Sequence, residues 1–171
     1  MELSKMLARQ AKKKGICKEW HTALKSLTDR KAMVEMYLRG IDFCLKNNFP
    51  DNGFIQANFG DIAPQMGVFL DKHIEAENCA KCVCLGATFG KVTTTGFNVC
   101  EIFAKHDAEL NIIATDNAFV MVDAFDNAVV NIHTHDRAKV CVNKYGNAVV
   151  NEIITDAEAQ VKIRVKTSKT Y

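Results

Sequence analysis

A chain of 171 residues, 48% hydrophobic and 25% charged, has the profile of a globular protein able to bury one real core. No apolar run approaches the roughly 20 residues of a spanning helix, and the start MELSKMLARQAKKKG lacks a secretory leader's apolar core and cleavage site. These features predict a cytoplasmic protein that does not cross a bilayer. The net charge of +2 is unevenly placed: residues 1–50 hold 11 Lys/Arg against 5 Asp/Glu, residues 51–156 hold 7 against 14, and the last 15 hold 4 against 1. An acidic middle between basic ends leaves a nucleic-acid or acidic partner open, although solvated helix faces and a protected end strand account for the same distribution.

Residues 1–50 read as a helical segment. Lys18 to Leu27 is a short helix. Ser26 to Asp29 has the S-x-x-D form of a helix start. Met33, Met36, Tyr37, Gly40, Ile41, Cys44 and Leu45 then recur at three- and four-residue steps along one apolar face. The run NNFPDNG (47–53) stops that helix, and residues 51–66 read as a linker containing Gly60 and Pro64.

From about Gly67 the period becomes alternating and a repeat emerges. In register the clearest copies are HDAELNIIAT (106–115), DNAFVMVDAF (116–125), DNAVVNIHTH (126–135), DRAKVCVNKY (136–145) and GNAVVNEIIT (146–155). Ala108, Ala118, Ala128, Ala138 and Ala148 form one column. Leu110, Val120, Val130, Val140 and Val150 form the next, followed by Ile112, Val122, Ile132 and Val142. Alternate side chains of a strand share a face, so these columns point the same way. The Asp/Gly-Asn pairs before each Ala supply turns. Weaker copies pass upstream through Ala80, Cys82, Cys84, Cys100, Ile102 and Ala104, so about ten repeats fill residues 68–165.

A ten-residue period suits either an antiparallel meander or a solenoid with two repeats per coil. A beat of 20 separates them: Asn111, Asn131 and Asn151; Asp116, Asp136 and Asp156; Phe125 and Tyr145. Like residues stack in ladders on in-register parallel strands, and a meander gives no reason for that beat. The expected fold is therefore mainly β: a parallel β-solenoid of about 20-residue, two-strand coils over 67–171, capped by the small helical segment. At the far end Val161, Ile163 and Val165 alternate with Lys162, Arg164 and Lys166, a charged defence of a terminal strand.

Candidate chemistry is sparse. Cys79, Cys82 and Cys84 form the sharpest metal-like cluster, yet zinc needs about four ligands, a second C-x-x-C pair is missing, and Cys82 and Cys84 occupy columns filled elsewhere by Val and Ile. Core thiols are the expectation, with no metal or other cofactor. The seven cysteines are an odd number, which argues against a disulfide framework. His133 and His135, with Asp123 and Asp136 nearby in sequence, are the candidates for acid–base work on a carbohydrate or nucleotide. Asp116, Asp136 and Asp156 are expected to be turn residues bonding their own backbone. The outward columns contain Phe119, Met121, Val129, Cys141, Val149, Ile113 and Ile153, more apolar than solvated strands need. Phe119, Met121, Val129 and Val149 are the candidate interaction residues, for a protein partner or a second copy.

The repeats resemble the tandem D/G-N-A-x-V arrays of uncharacterised bacterial proteins. The whole chain is similar to short hypothetical proteins of gut Bacteroidetes and their phages and mobile elements. That resemblance implies a solenoid scaffold, covers roughly 100 residues, and brings no catalytic residues with it. The expected function is non-enzymatic binding, as an accessory protein of a phage or mobile element. The alternatives are an enzyme using the Asp/His cluster and a small metal-binding protein.

Overall fold

The structure is a computed structural model and describes residues 2–171. The chain divides into a helical unit through Met66 and a repeat unit from Gly67 to Thr170.

In the helical unit, α1 (Leu3–Lys13) buries Ser4, Leu7, Ala8 and Ala11 at three- and four-residue steps. It ends at Gly15 with φ of +85°, where the N–H of Ile16 returns to the carbonyl of Ala11. The second helix, α2 (Lys18–Ser26), packs on α1 and matches the predicted segment. Next, α3 (Arg30–Arg39) starts three residues later than the S-x-x-D reading implies, because Asp29, not Ser26, is its cap and accepts from the N–H of Ala32 at 2.9 Å. The predicted continuous apolar face is broken at Gly40, beyond which α4 (Ile41–Asn47) begins. A Cβ at Gly40 would lie 3.0 Å from the Trp20 ring, so the break also lets that ring approach the backbone. The stretch read as a linker contains α5 (Asn52–Phe59), capped by Asp51, which accepts from the N–H of Phe54 at 2.8 Å. A 3-10 turn (Ala63–Met66) follows.

The repeat unit holds eleven strands: β1 (Val68–Leu70), β2 (His73–Glu77), β3 (Lys81–Leu85), β4 (Phe89–Thr94), β5 (Val99–Ala104), β6 (Glu109–Ala114), β7 (Phe119–Ala124), β8 (Val129–Thr134), β9 (Lys139–Lys144), β10 (Val149–Ile154) and β11 (Gln160–Val165). Odd strands form one six-stranded sheet and even strands one five-stranded sheet, all pairings being parallel. This is the two-sided β-solenoid, about five turns long. Asn111 lies beside Asn131 and Asn131 beside Asn151, the 20-residue beat seen in the sequence.

The inward columns are the core. Leu110, Val120, Val130 and Val140 are 0% exposed, as are the alanines at 108, 128 and 138. Burying one Val or Ile stabilises by about 1.5–3 kcal/mol, against a net ~0.5–1.5 kcal/mol for a hydrogen bond. Stacked apolar columns therefore dominate stability, and the side-chain ladders secure register. The ends depart from the beat. Val68 pairs with Val83 and His73 with Phe89, so the first coil is short, whereas Gln160 pairs with Lys139 across one extra residue. Gly90 takes the inward place of Leu110, and a Cβ there would meet the Ile74 carbonyl at 2.0 Å; the tight first coil leaves no room for a side chain.

Candidate functional site

Every corner before β10 turns on one residue in the left-handed region, and the last, between β10 and β11, does not. Along one edge these residues are Asn78, Gly96, Asp116 and Asp136; along the other they are Asp71, Gly86, His106, Asp126 and Gly146. Asp and Gly tolerate that conformation. The aspartates do not bond their own backbone, as the sequence reading expected. Each carboxylate reaches back to the equivalent N–H of the preceding coil: Asp116 accepts from Gly96 at 2.8 Å, Asp136 from Asp116 at 2.9 Å, and Asp156 from Asp136 at 2.7 Å. At the opposite corner Asp126 accepts from the N–H of His106 at 3.2 Å, and His106 Nδ1 accepts from that of Gly86 at 3.1 Å. These ladders clamp coil to coil. The first corner borders a shallow open groove lined by Asp116, Asn117, Asp136, Arg137, Asp156 and Glu158.

The acid–base candidates are dispersed over this frame. Asp123 lies on β7 in the odd sheet, where its carboxylate accepts from Asn143 Nδ2 at 2.7 Å. His133 lies on β8 in the even sheet, between Ile113 and Ile153. His135 stands at the corner after β8, with Nδ1 2.6 Å from Thr155 Oγ1 and 3.9 Å from Asp156 Oδ2. Asp136 is committed to the ladder. Only His135 and Asp136 share a corner, and there the imidazole meets Thr155 and Asp156 of the next coil. Ten residues of separation is half a coil, so closeness in sequence put Asp123 and His133 on different sheets.

The cysteine cluster is likewise split. Cys82 and Cys84 are buried inward residues of β3 with sulfurs 3.6 Å apart, while Cys79 is half-buried before the strand, its thiol 3.8 Å from the carbonyl of Glu77. The neighbouring Cys84 and then burial push the Cys82 thiol well up, and burial pushes that of Cys100 to about 12. Both favour the protonated thiol. Among the described residues no group of three or more His, Cys, Asp or Glu could hold a metal ion. One polar group that sequence reasoning missed is Lys105, only 4% exposed, whose ammonium sits 3.0 Å from the Asp126 carboxylate and 5.3 Å from the Phe125 ring centre. Phe125 stacks on Tyr145 with centroids 4.6 Å apart, as the aromatic beat foretold. Only the column of residues 85, 105, 125 and 145 would have revealed the lysine.

The interaction candidates lie on the outward columns. Phe119 and Val129 are half-buried, Met121 is 38% exposed and Val149 44%. Val99, 52% exposed, lies beside Phe119, and Phe97, at 85%, precedes it in the turn. Phe89, 53% exposed, shares the column of Val129 and Val149 on the other sheet. Phe97, Val99 and Phe89 went unnoticed because the copies spanning 86–105 are weak. Setting them in register would have placed Phe89 and Val99 in the column of Phe119 and Val129. A comparison with known protein families, curated proteins and solved structures finds no match to this chain. Among the described residues no helix is long and apolar enough to cross a membrane.

Proposed function

We propose that the protein is a non-enzymatic binding protein, whose solenoid is a rigid scaffold presenting its outer strand faces to another protein or to a second copy. The observation that supports this most is the set of apolar residues Val99, Phe119 and Met121 in outward places of the odd sheet, where a solvated strand carries polar residues, with Phe97 exposed in the turn before Val99. The dispersal of Asp123, His133, His135 and Asp136 over two sheets favours it over acid–base catalysis, which needs groups converging on one reacting atom. The similarity of the whole chain to short hypothetical proteins of gut Bacteroidetes, their phages and mobile elements supports a partner from such a system.

Light scattering across a concentration series tests self-association. Association abolished by Phe119→Lys, with an unchanged far-UV spectrum, identifies the odd sheet as the contact; loss with Val149→Lys instead identifies the even sheet. A strict monomer whose two variants keep both stability and biological effect overturns the reading.

A further inference from the structure

The last coil differs from those before it. β10 and β11 each pair on one side only, with β8 and β9. The N–H groups of Gln160 and Lys166 bond the carbonyls of Ala138 and Lys144, so by the alternation of a strand the peptide groups of Val161, Ile163 and Val165 point away from β9. The side chains of those residues continue the inward columns, yet Ile163 is 36% exposed where its column-mate Val142 is 1%, and Val165, beside Lys144, is 73% exposed. Backbone groups and apolar side chains that would receive a further strand are thus both uncovered at β11.

Charge narrows what that strand could be. β9 and β11 hold Lys139, Lys144, Lys162 and Arg164 with no carboxylate, and Lys166 follows at once. On the even sheet the corresponding end carries Glu152 in an inward place, a buried-type position made unfavourable for apolar addition. A second copy pairing its own β11 here would set Lys162 and Arg164 against like charges, which costs affinity and suppresses that partner. A strand with Asp or Glu on its outward side and Val or Ile on its inward side satisfies all three features.

We propose that the β11 edge is a docking site for an extended acidic segment of another protein, added as the next strand of the odd sheet. Backbone bonds to Val161, Ile163 and Val165 supply affinity, apolar residues cover the exposed columns, and the cations of β11 select the sign of the partner. This surface is distinct from the lateral face and does not depend on it.

The test uses the full chain and a fluorescein-labelled peptide of about seven residues alternating Glu and Val, the length that matches one strand, with a Lys/Val peptide as comparison. Fluorescence anisotropy is expected to show saturable binding of the Glu/Val peptide and none of its Lys/Val counterpart. Lys162→Glu with Arg164→Glu, both exposed and outside the ladder, is expected to weaken binding by about tenfold or more. Ile163→Pro removes an N–H that serves only the open edge, so it should abolish binding while leaving the far-UV spectrum intact. Phe119→Lys should leave peptide binding unchanged, which separates this site from the lateral face. Equal binding of both peptides, no saturation, or binding indifferent to the double charge reversal overturns the proposal. So does a wild-type oligomer that Ile163→Pro converts to monomer, since the occupant would then be a second copy.

Discussion

Val129 and Val130 are adjacent in sequence and opposite in environment: Val129 is half-buried on the outer face, and Val130 is 0% exposed between Leu110 and Val150. Val130→Asp is expected to prevent folding. An unpaired buried charge costs several kcal/mol, a large share of the ~5–15 kcal/mol that holds a domain together. Val129→Asp, whose carboxylate reaches water, should fold with a cooperative urea transition, and equal loss in both variants would refute the facing. His106 carries a different sensitivity. Burial first, and then the neighbouring Lys105, lower its pKa, against the opposing pull of Asp126, Asp107 and Asp71. Its neutral Nδ1 accepts the Gly86 N–H. Because the folded pKa lies below the unfolded value of about 6.5, the unfolded chain binds the proton more readily. The contribution is therefore complete above that unfolded value and is lost as pH falls through the folded one. Urea midpoints at pH 8 and pH 5 should show the wild type losing more stability than His106→Gln, which keeps an acceptor and cannot titrate. Parallel losses would remove the histidine from the acid response.

Strand pairing is testable without a spectrum of the fold. Asn131 Nδ2 donates to Asn111 Oδ1 at 3.3 Å, on neighbouring parallel strands whose backbones lie about 4.8 Å apart. Cysteines at 111 and 131 fall within the backbone range of a disulfide and should cross-link on mild oxidation. Asn131→Cys alone should not join the native Cys141, which a meander would place beside it. Here Cys141 lies on β9 of the other sheet. This architecture was legible because each column repeats one residue type, and because Asn111, Asn131 and Asn151 beat at 20 where the alanines beat at 10. The first coil was not legible, since Val68 and Val83 are out of step with that beat and Gly90 leaves its column empty. Helix α5 hid for another reason: its sequence NGFIQANF is rich in residues that also make turns, and only the Asp51 cap and the burial of Ile55 and Phe59 identify it. At the candidate site, the spacing of the Asp residues was visible, but their bonding was not. A left-handed residue aims its N–H toward the next coil, a direction that no side-chain pattern encodes. The outward apolar columns were read correctly where repeats are strong and missed at Phe97 and Val99, where they fade.

Across the repeat unit each coil is held by its neighbours, so stability is a sum of nearest-neighbour terms and is lowest where one neighbour is lacking. The middle coils have inward residues that are 0–1% exposed, such as Leu110, Ile112, Val120, Val122, Val130 and Ile132. The last coil has Ile154 at 46% and Val165 at 73%, and Glu152 interrupts its inward column. Amide exchange is therefore expected to be graded along the solenoid axis: fastest in β10 and β11, slowest in β5 through β8, with opening of the last coil preceding global unfolding. Ile132→Asn should shorten protection throughout the unit, because it removes contacts on both sides of a central coil. Ile154→Asn should raise exchange in β10 and β11 and leave β6 nearly as before. Hydrogen exchange read by mass spectrometry on the two variants distinguishes the outcomes. Uniform protection from β4 to β11, or an Ile154→Asn effect as wide as that of Ile132→Asn, would mean that the coils unfold as one unit and that the open end is held by something other than its own last strand. A gradient with the predicted slope would also explain how the end can tolerate uncovered apolar side chains: it is the part of the repeat that costs least to open and gains most from an added strand.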